Sequence, residues 1–263
     1  MSRTRGAWGV KAKWAAGGLA AAVVLLTGYA MVSGDGDDFA KGKDGRPAGS
    51  GSATPSPGYS APEDWTEPER WAALPRGART DKYGSEVGFA HTTEGAAAML
   101  AAASSSPVGS GKTSVDEQLR IYYSYVGKAD RSDENAEQIE LAAGDTDRSL
   151  AREMGVRAGQ PLPPGAYVHS TVVGYEVIKA SSGEVSLWLL SRVVQKNGET
   201  AKEKGSYTHS LAGAQWEDGD WKLTGAATGR AQQGAQGQAR PKMVAPGDAA
   251  FNSSGSTAIR EAS

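Results

Sequence analysis

The sequence contains no cysteine. That absence excludes a disulfide framework, a thiolate metal site, a cysteine nucleophile and a lipidated cysteine behind a leader peptide. Any exported part of the chain must therefore hold together by burying a core. An excess of either charge is also missing: 28 Lys and Arg stand against 30 Asp and Glu, a formal net charge of −2. Nothing steers the whole chain onto nucleic acid, and direct nucleic-acid binding is not expected. Apolar residues are in short supply, at 39% below the usual globular range. Histidine is scarce too. His91, His169 and His209 form neither an H-x-x-x-H nor an H-E-x-x-H pair, so no metal site is expected. The G-x-S-x-G nucleophile elbow is absent as well.

Glycine and proline, by contrast, are plentiful at 35 and 12 residues, and they are unevenly placed. That unevenness divides the chain. Trp14 to Val32 carries no charge and holds Leu19, Val23, Val24, Leu25 and Leu26 in an alanine-rich run. As a helix it would rise about 28 Å, close to the hydrocarbon thickness of a bilayer. Arg3, Arg5, Lys11 and Lys13 precede it, and Asp35, Asp37 and Asp38 follow it. The positive-inside rule then predicts a cytoplasmic tail over 1–13, a single-pass anchor over 14–32 in the cytoplasmic membrane, and everything beyond outside. Gly28-Tyr29-Ala30 keeps a cleaved leader open as the alternative. Residues 33–70 are Gly, Pro, Ser, Asp and Lys with scarcely an aliphatic residue, which predicts a disordered linker. Residues 231–263 contain Gln232-Gln233-Gly234-Ala235-Gln236-Gly237 and Asn252-Ser253-Ser254-Gly255, which predicts a disordered tail. Residues 71–230 remain as the folded unit, of common domain size.

Within it, helical signals come first. His91 to Ser104 is alanine-rich, with Thr92 as a plausible N-cap. Ser114 to Glu117 reads as a capping box, followed by Val115, Leu119, Tyr122, Tyr123 and Val126 on one apolar stripe. That stripe makes Tyr122 and Tyr123 core residues and leaves Tyr125 exposed. Asp130 to Ala143 and Thr146 to Met154 read as two helices, separated by Gly144 and ended by Gly155. Strand signals follow over Tyr167–Ala180, Val185–Val194 and Gly205–Trp216, with Asn197-Gly198 as a turn. Trp216-Glu217-Asp218-Gly219-Asp220-Trp221 reads as a tight hairpin whose tryptophans could pair across it. Helices followed by an antiparallel meander predict an α+β domain.

Two sets of residues carry a resemblance. The closing motif Trp216, Asp218, Gly219, Trp221, Lys222, Leu223, behind that order of elements, resembles the nuclear transport factor 2-like fold. This resemblance implies a cone-shaped domain, its helices packed on a curved antiparallel sheet. Trp71, Leu74-Pro75 and then Gly88, Phe89, His91, Thr92 and Gly95 leading into an alanine-rich helix resemble actinobacterial membrane-anchored proteins of conjugative elements. Anchor, stalk and one such domain also resemble the inner-membrane scaffold subunit of type IV secretion channels. The resemblance implies a non-catalytic assembly role without a cofactor. The implied partners are the membrane, other protein subunits and further copies of the chain. An extracytoplasmic small-ligand binding domain, or an enzyme using the cone cavity, stands as the alternative.

Residue chemistry adds three candidates. Gly109-Ser110-Gly111-Lys112-Thr113 resembles the end of a phosphate loop, but Ser106 stands where the first glycine belongs, and the segment before it reads as a helix. Glu176, between Tyr175 and Val177 in a predicted strand, is the one carboxylate placed to enter a cone cavity if its face is the inner one. Glu117 is assigned to the capping box. For an assembly role, oligomer contacts should show as an exposed apolar patch on the sheet face or on helix His91–Ser104.

Overall fold

The computed structural model describes residues 65–260. The predicted anchor, the cytoplasmic tail and the stalk as far as residue 64 lie outside the described residues. The domain is α+β. Its elements in chain order are β1 (Trp71–Ala73), β2 (Arg79–Thr80), β3 (Glu86–Val87), α1 (Thr93–Ser104), β4 (Ser106–Gly109), α2 (Ser114–Tyr125), a 3₁₀ turn at Lys128–Asp130 and α3 (Asp133–Glu153). There follow β5 (Ala166–Ala180), β6 (Glu184–Asn197), β7 (Lys204–Glu217), β8 (Asp220–Leu223), α4 (Gly225–Gly234), α5 (Ala249–Asn252) and β9 (Thr257–Arg260).

The main sheet runs β1-β9-β5-β6-β7-β8, with β4 on the same edge of β5 as β9. All pairings are antiparallel except β1 with β9. Short turns dictate the meander. Ser181 to Gly183 joins β5 to β6, and Asp218-Gly219 joins β7 to β8 with φ of 51° and 81°. Two successive positive φ values give the turn twist that a two-residue hairpin needs. The Asn197-Gly198 signal does begin a turn, but the strands resume only at Lys204, so the loop is longer than two residues. Bulges at Val172/Gly174 and Val177/Lys179 bend the long β5 strand.

Alternation along the strands creates two faces. Val172, Tyr175, Val185, Leu187, Leu189 and Ala212 point to the side covered by α1 and α2, where Met99, Leu100, Ile121, Tyr122 and Trp221 complete the main core. The small side chains Ala96, Ala97 and Ala103 are fully covered, which lets α1 lie close to the sheet. The opposite face presents Gly174, Glu176, Trp188, Leu190, His209, Leu211 and Gly213, as the strand register requires. There α4 crosses so closely that a Cβ on Gly213 would sit 2.3 Å from the Ala227 carbonyl carbon. Phe251 and Ala258 bury Leu190 beside it.

The expected disordered tail is thus corrected. Residues 231–260 form the last turns of α4, the short α5 and strand β9 inside the sheet. Low complexity hid a few well-spaced apolar residues, Ala231, Val244, Phe251 and Ala258, which complete a sheet face already present. The boundary at residue 70 moves as well. Thr66 N–H donates to the Gly247 carbonyl at 2.7 Å. Glu69 N–H donates to Asn252 Oδ1 at 3.0 Å, and Asn252 Nδ2 to the Glu67 carbonyl at 3.1 Å.

Three helical expectations also change. α3 runs unbroken through Gly144, because Ile139, Ala143 and Leu150 bury one continuous stripe that outweighs the cost of one glycine, about 1 kcal/mol. Gly155, at φ 72°, follows its end. The capping box lies one residue earlier than expected: Thr113 N–H donates to Asp116 Oδ2 at 2.9 Å, and Thr113 Oγ1 accepts from Asp116 N–H at 3.1 Å. Tyr125 is buried, not exposed, and burial pushes its phenol pKa up.

Candidate functional site: a motif junction and a cleft on opposite sides of one sheet

The residues singled out in the sequence gather at the β7–β8 hairpin. Gly88 adopts φ 76°, a conformation that favours glycine, and turns the chain so that successive amides point at one carboxylate. Asp220 Oδ2 accepts from Gly88 N–H at 2.9 Å, and Oδ1 accepts from Phe89 N–H at 3.0 Å and Trp221 N–H at 2.9 Å. Lys222 Nζ completes the set, 3.0 Å from Asp220 Oδ2 and 3.0 Å from the Ser124 carbonyl. Asp220 is only 4% exposed, so these four donors stand in for water around a buried charge.

The aromatic half of the junction locks the same elements. Trp221 Nε1 donates to the Ala90 carbonyl at 2.9 Å. Trp216 and Trp221 pack edge-to-face at 5.3 Å, and the His91 ring stacks on Trp216 at 3.9 Å. His91 Nε2 also meets the Ser182 carbonyl. Thr92 caps α1 by accepting from Gly95 N–H at 3.0 Å. Any side chain on Gly95 would place its Cβ 1.9 Å from the Ala90 oxygen. Asp218 and Gly219 form the turn itself, and Lys128, 2.7 Å away, holds the Asp218 carboxyl below its ordinary pKa. Gly88 and Phe89 therefore meet Trp221 through Asp220, a residue the sequence alone does not single out, while His91 meets Trp216 by stacking just ahead of the Thr92–Gly95 cap. The only signal of Asp220 was position: a carboxylate beside a buried tryptophan at the start of a strand.

Other candidates separate from this junction. The phosphate-loop resemblance fails on geometry. A strand, β4, does precede it, contrary to expectation. However, the loop closes as a tight turn with Gly109 N–H on the Lys112 carbonyl at 3.0 Å. The α2 N-terminus, where a phosphate would sit, is taken by Asp147, which accepts from Ser114 N–H at 2.8 Å and Val115 N–H at 3.3 Å. Glu117 has no part in the capping box; it is buried between Lys112 Nζ at 3.1 Å and Arg120 Nη2 at 2.9 Å. Arg120 in turn donates to Ser85 Oγ at 2.7 Å and so pins the β2–β3 ribbon.

Glu176 does not enter the helix-covered core. It pairs with Trp188 across β5–β6, on the face where the C-terminal segment lies, and Tyr175 takes the inner position. Burial pushes its carboxyl pKa up, with Arg70 opposing. His169 stacks on Tyr167 at 4.6 Å on the same outer side. Among the described residues no group of three or more His, Asp or Glu could hold a metal ion. None of their helices is long and apolar enough to cross a membrane.

Among the described residues, a concavity lies on the outer face instead. A cleft of about 560 Å³ opens between the sheet and the C-terminal segment. Trp188, His209 and Leu211 form its floor, and Thr228 and Gln232 of α4 form one wall. Gln236, Gln238 and Arg240, from the stretch expected to be disordered, form the rim. Trp188 and His209 meet edge-on at 6.4 Å. Burial lowers the His209 pKa, so its imidazole is neutral at neutral pH and offers one donor and one acceptor. Thr228 is 3% exposed and its hydroxyl has no hydrogen-bond partner. No local pattern in the sequence could have assembled this set, because its members come from two strands, a helix and a coil. Compared with protein-family models, curated proteins and solved structures, the chain matches none.

Proposed function

We infer that this chain is a non-catalytic structural component of a membrane assembly, its α+β domain of the cone-shaped nuclear transport factor 2-like type held outside the cytoplasmic membrane by the 14–32 segment. The apparatus the resemblance points to is one of conjugative transfer or type IV secretion. One observation carries this reading: the two motifs behind the resemblance converge on Asp220, and their polar groups are spent on each other. A motif consumed in this way is a framework device, which fixes a hairpin against a helix so that the domain presents a constant outer surface.

The exposed apolar patch expected on the sheet face or on α1 is not found among the described residues, which counts against an apolar assembly contact there. α1 is covered along most of its length, and the sheet shows one largely exposed apolar side chain, Val177. The other large exposed apolar residues described are Tyr83, Leu141 and Met243, which lie apart in sequence and on different elements. A subunit contact through this domain must then be mainly polar, as non-obligate interfaces commonly are. Crosslinking the full chain in its native membrane, followed by mass spectrometry, tests the reading. Capture of the chain together with channel or transfer-ATPase subunits is the expected outcome. A correctly inserted, well-expressed chain that captures no protein would overturn it.

A further inference from the structure

The cleft on the outer sheet face is unexplained by a framework role. We propose that it binds a saccharide unit bearing a single carboxylate, with the sugar's C–H face on Trp188 and its hydroxyls on the glutamine rim.

Four features select that chemistry. First, the floor is an indole and a leucine, an apolar surface that suits the C–H face of a pyranose. Second, the polar lining is rich in primary amides. Gln232 and Gln236 each offer a donor and an acceptor, the pairing that adjacent sugar hydroxyls match. Gln238 donates one Nε2 hydrogen to the Gly234 carbonyl at 2.8 Å, which orients the amide and leaves its oxygen to accept. Third, Thr228 and Ser210 line the cleft without bringing a charge to it, and the Thr228 hydroxyl is itself closed to solvent, so the ligand's hydroxyls are met by the exposed amides. Fourth, among the described residues no Asp or Glu lines the cleft, and Arg240 stands on its rim as the single cation.

The same features argue against a phosphate ligand. Gln232 and Ala235 lie at the C-terminal end of α4, whose last carbonyls carry partial negative charge. A doubly charged phosphate meeting that pole, with one exposed arginine and a neutral imidazole to offset it, is poorly served. One carboxylate at Arg240, on the outer rim, is compatible with both. The volume falls within the usual range for small-molecule sites.

The test uses the full chain in detergent micelles. Calorimetric titration with glucuronic acid, N-acetylmuramic acid, glucose and AMP, each to about 10 mM, covers the weak range in which single sugars bind. Saturable binding of at least one acidic sugar is expected, about two- to fivefold tighter than glucose, the gain an exposed charge pair allows. Arg240→Ala should abolish that preference while glucose binding stays. Gln236→Ala should weaken every sugar by about tenfold, the loss of a polar contact pair. Both side chains are exposed, so neither variant threatens the fold, and an unchanged melting curve checks this. Trp188→Ala should remove binding altogether. Absence of saturable binding by all three sugars overturns the proposal, as do sugar binding undiminished in Gln236→Ala and tighter binding of AMP than of any sugar. Repeating the titration with an acidic polysaccharide separates a polymer-borne unit from a free sugar. Capture of protein partners in the membrane bears on the assembly reading alone, so the two can fail separately.

Discussion

The two faces of this sheet are finished by different means. The helix-covered face is closed by large side chains from the centre of the chain, Trp221, Tyr122, Met99, Leu187 and Leu189, each nearly inaccessible. The other face is closed by a segment rich in Gly, Gln, Ala and Ser, with Phe251 as its one large buried side chain. Period-two alternation made both faces, since every second residue of β5, β6 and β7 must point away from the helices. The cover on the second face needs little hydrophobicity because β9 brings backbone hydrogen bonds with it, to β1 and β5. A closed core and an open cleft therefore lie back to back on the same strands.

The contrast can be broken most severely from the helix side. Asp220→Ala leaves Gly88 N–H and Phe89 N–H without the carboxylate that accepts from them and Lys222 Nζ with the Ser124 carbonyl alone, and should cost about 3–5 kcal/mol, as breaking a buried ion pair does. Denaturant unfolding of the full chain measures this, and a loss under about 1 kcal/mol would mean the junction is not a lock. Phe251→Ala attacks the other face. Removal of a buried phenyl should cost about 3 kcal/mol. The loss should be local: proteolysis should first cut within residues 235–256, while amide exchange in α1 and β6 stays slow.

Acid should act on the outer face. Burial holds the His209 pKa below 6.5 in the folded state. As pH falls through 6.5 the unfolded chain takes up this proton first, so stability declines until the folded imidazole also protonates. Glu176 works in the opposite sense, because its raised pKa lets the folded state protonate first and gain stability as pH falls towards 4.5. His209→Gln should flatten the decline just below pH 6.5, best measured in a Glu176→Gln background. An unaltered pH profile would place His209 in solvent. The smallest effect is expected at Thr228. Thr228→Val removes a hydroxyl without a partner, so stability should change by under about 1 kcal/mol, in either direction. A loss of 2 kcal/mol or more would mean that a buried water already satisfies it.

Much of the helix side was legible because its signals are local. The Thr92 cap, the Asp218-Gly219 turn and the pairing of Trp216 with Trp221 each involve residues within a few positions of one another. The capping box lies one residue from its expected place because Ser114 to Glu117 and Thr113 to Asp116 satisfy the same spacing, and only the burial of Glu117 between Lys112 and Arg120 decides between them. Gly144 reads as a break because propensity is local, whereas burial of Leu150 against Val168 and Val193 is not.

By itself, the sequence determined the class of domain, the succession from helices to meander, the closing hairpin and the absence of any cysteine chemistry. Those follow from short-range periodicity, turn geometry and composition. Tertiary structure alone decided which face of β5 Glu176 occupies, that Asp220 holds the amides of Phe89 and Gly88, 131 and 132 positions away, and that a glutamine-rich tail becomes a strand and the rim of a cleft. A window average reports whether a segment can build a core of its own. It does not report whether a few apolar side chains will find one already built, since that depends on a surface assembled by residues far away in the chain.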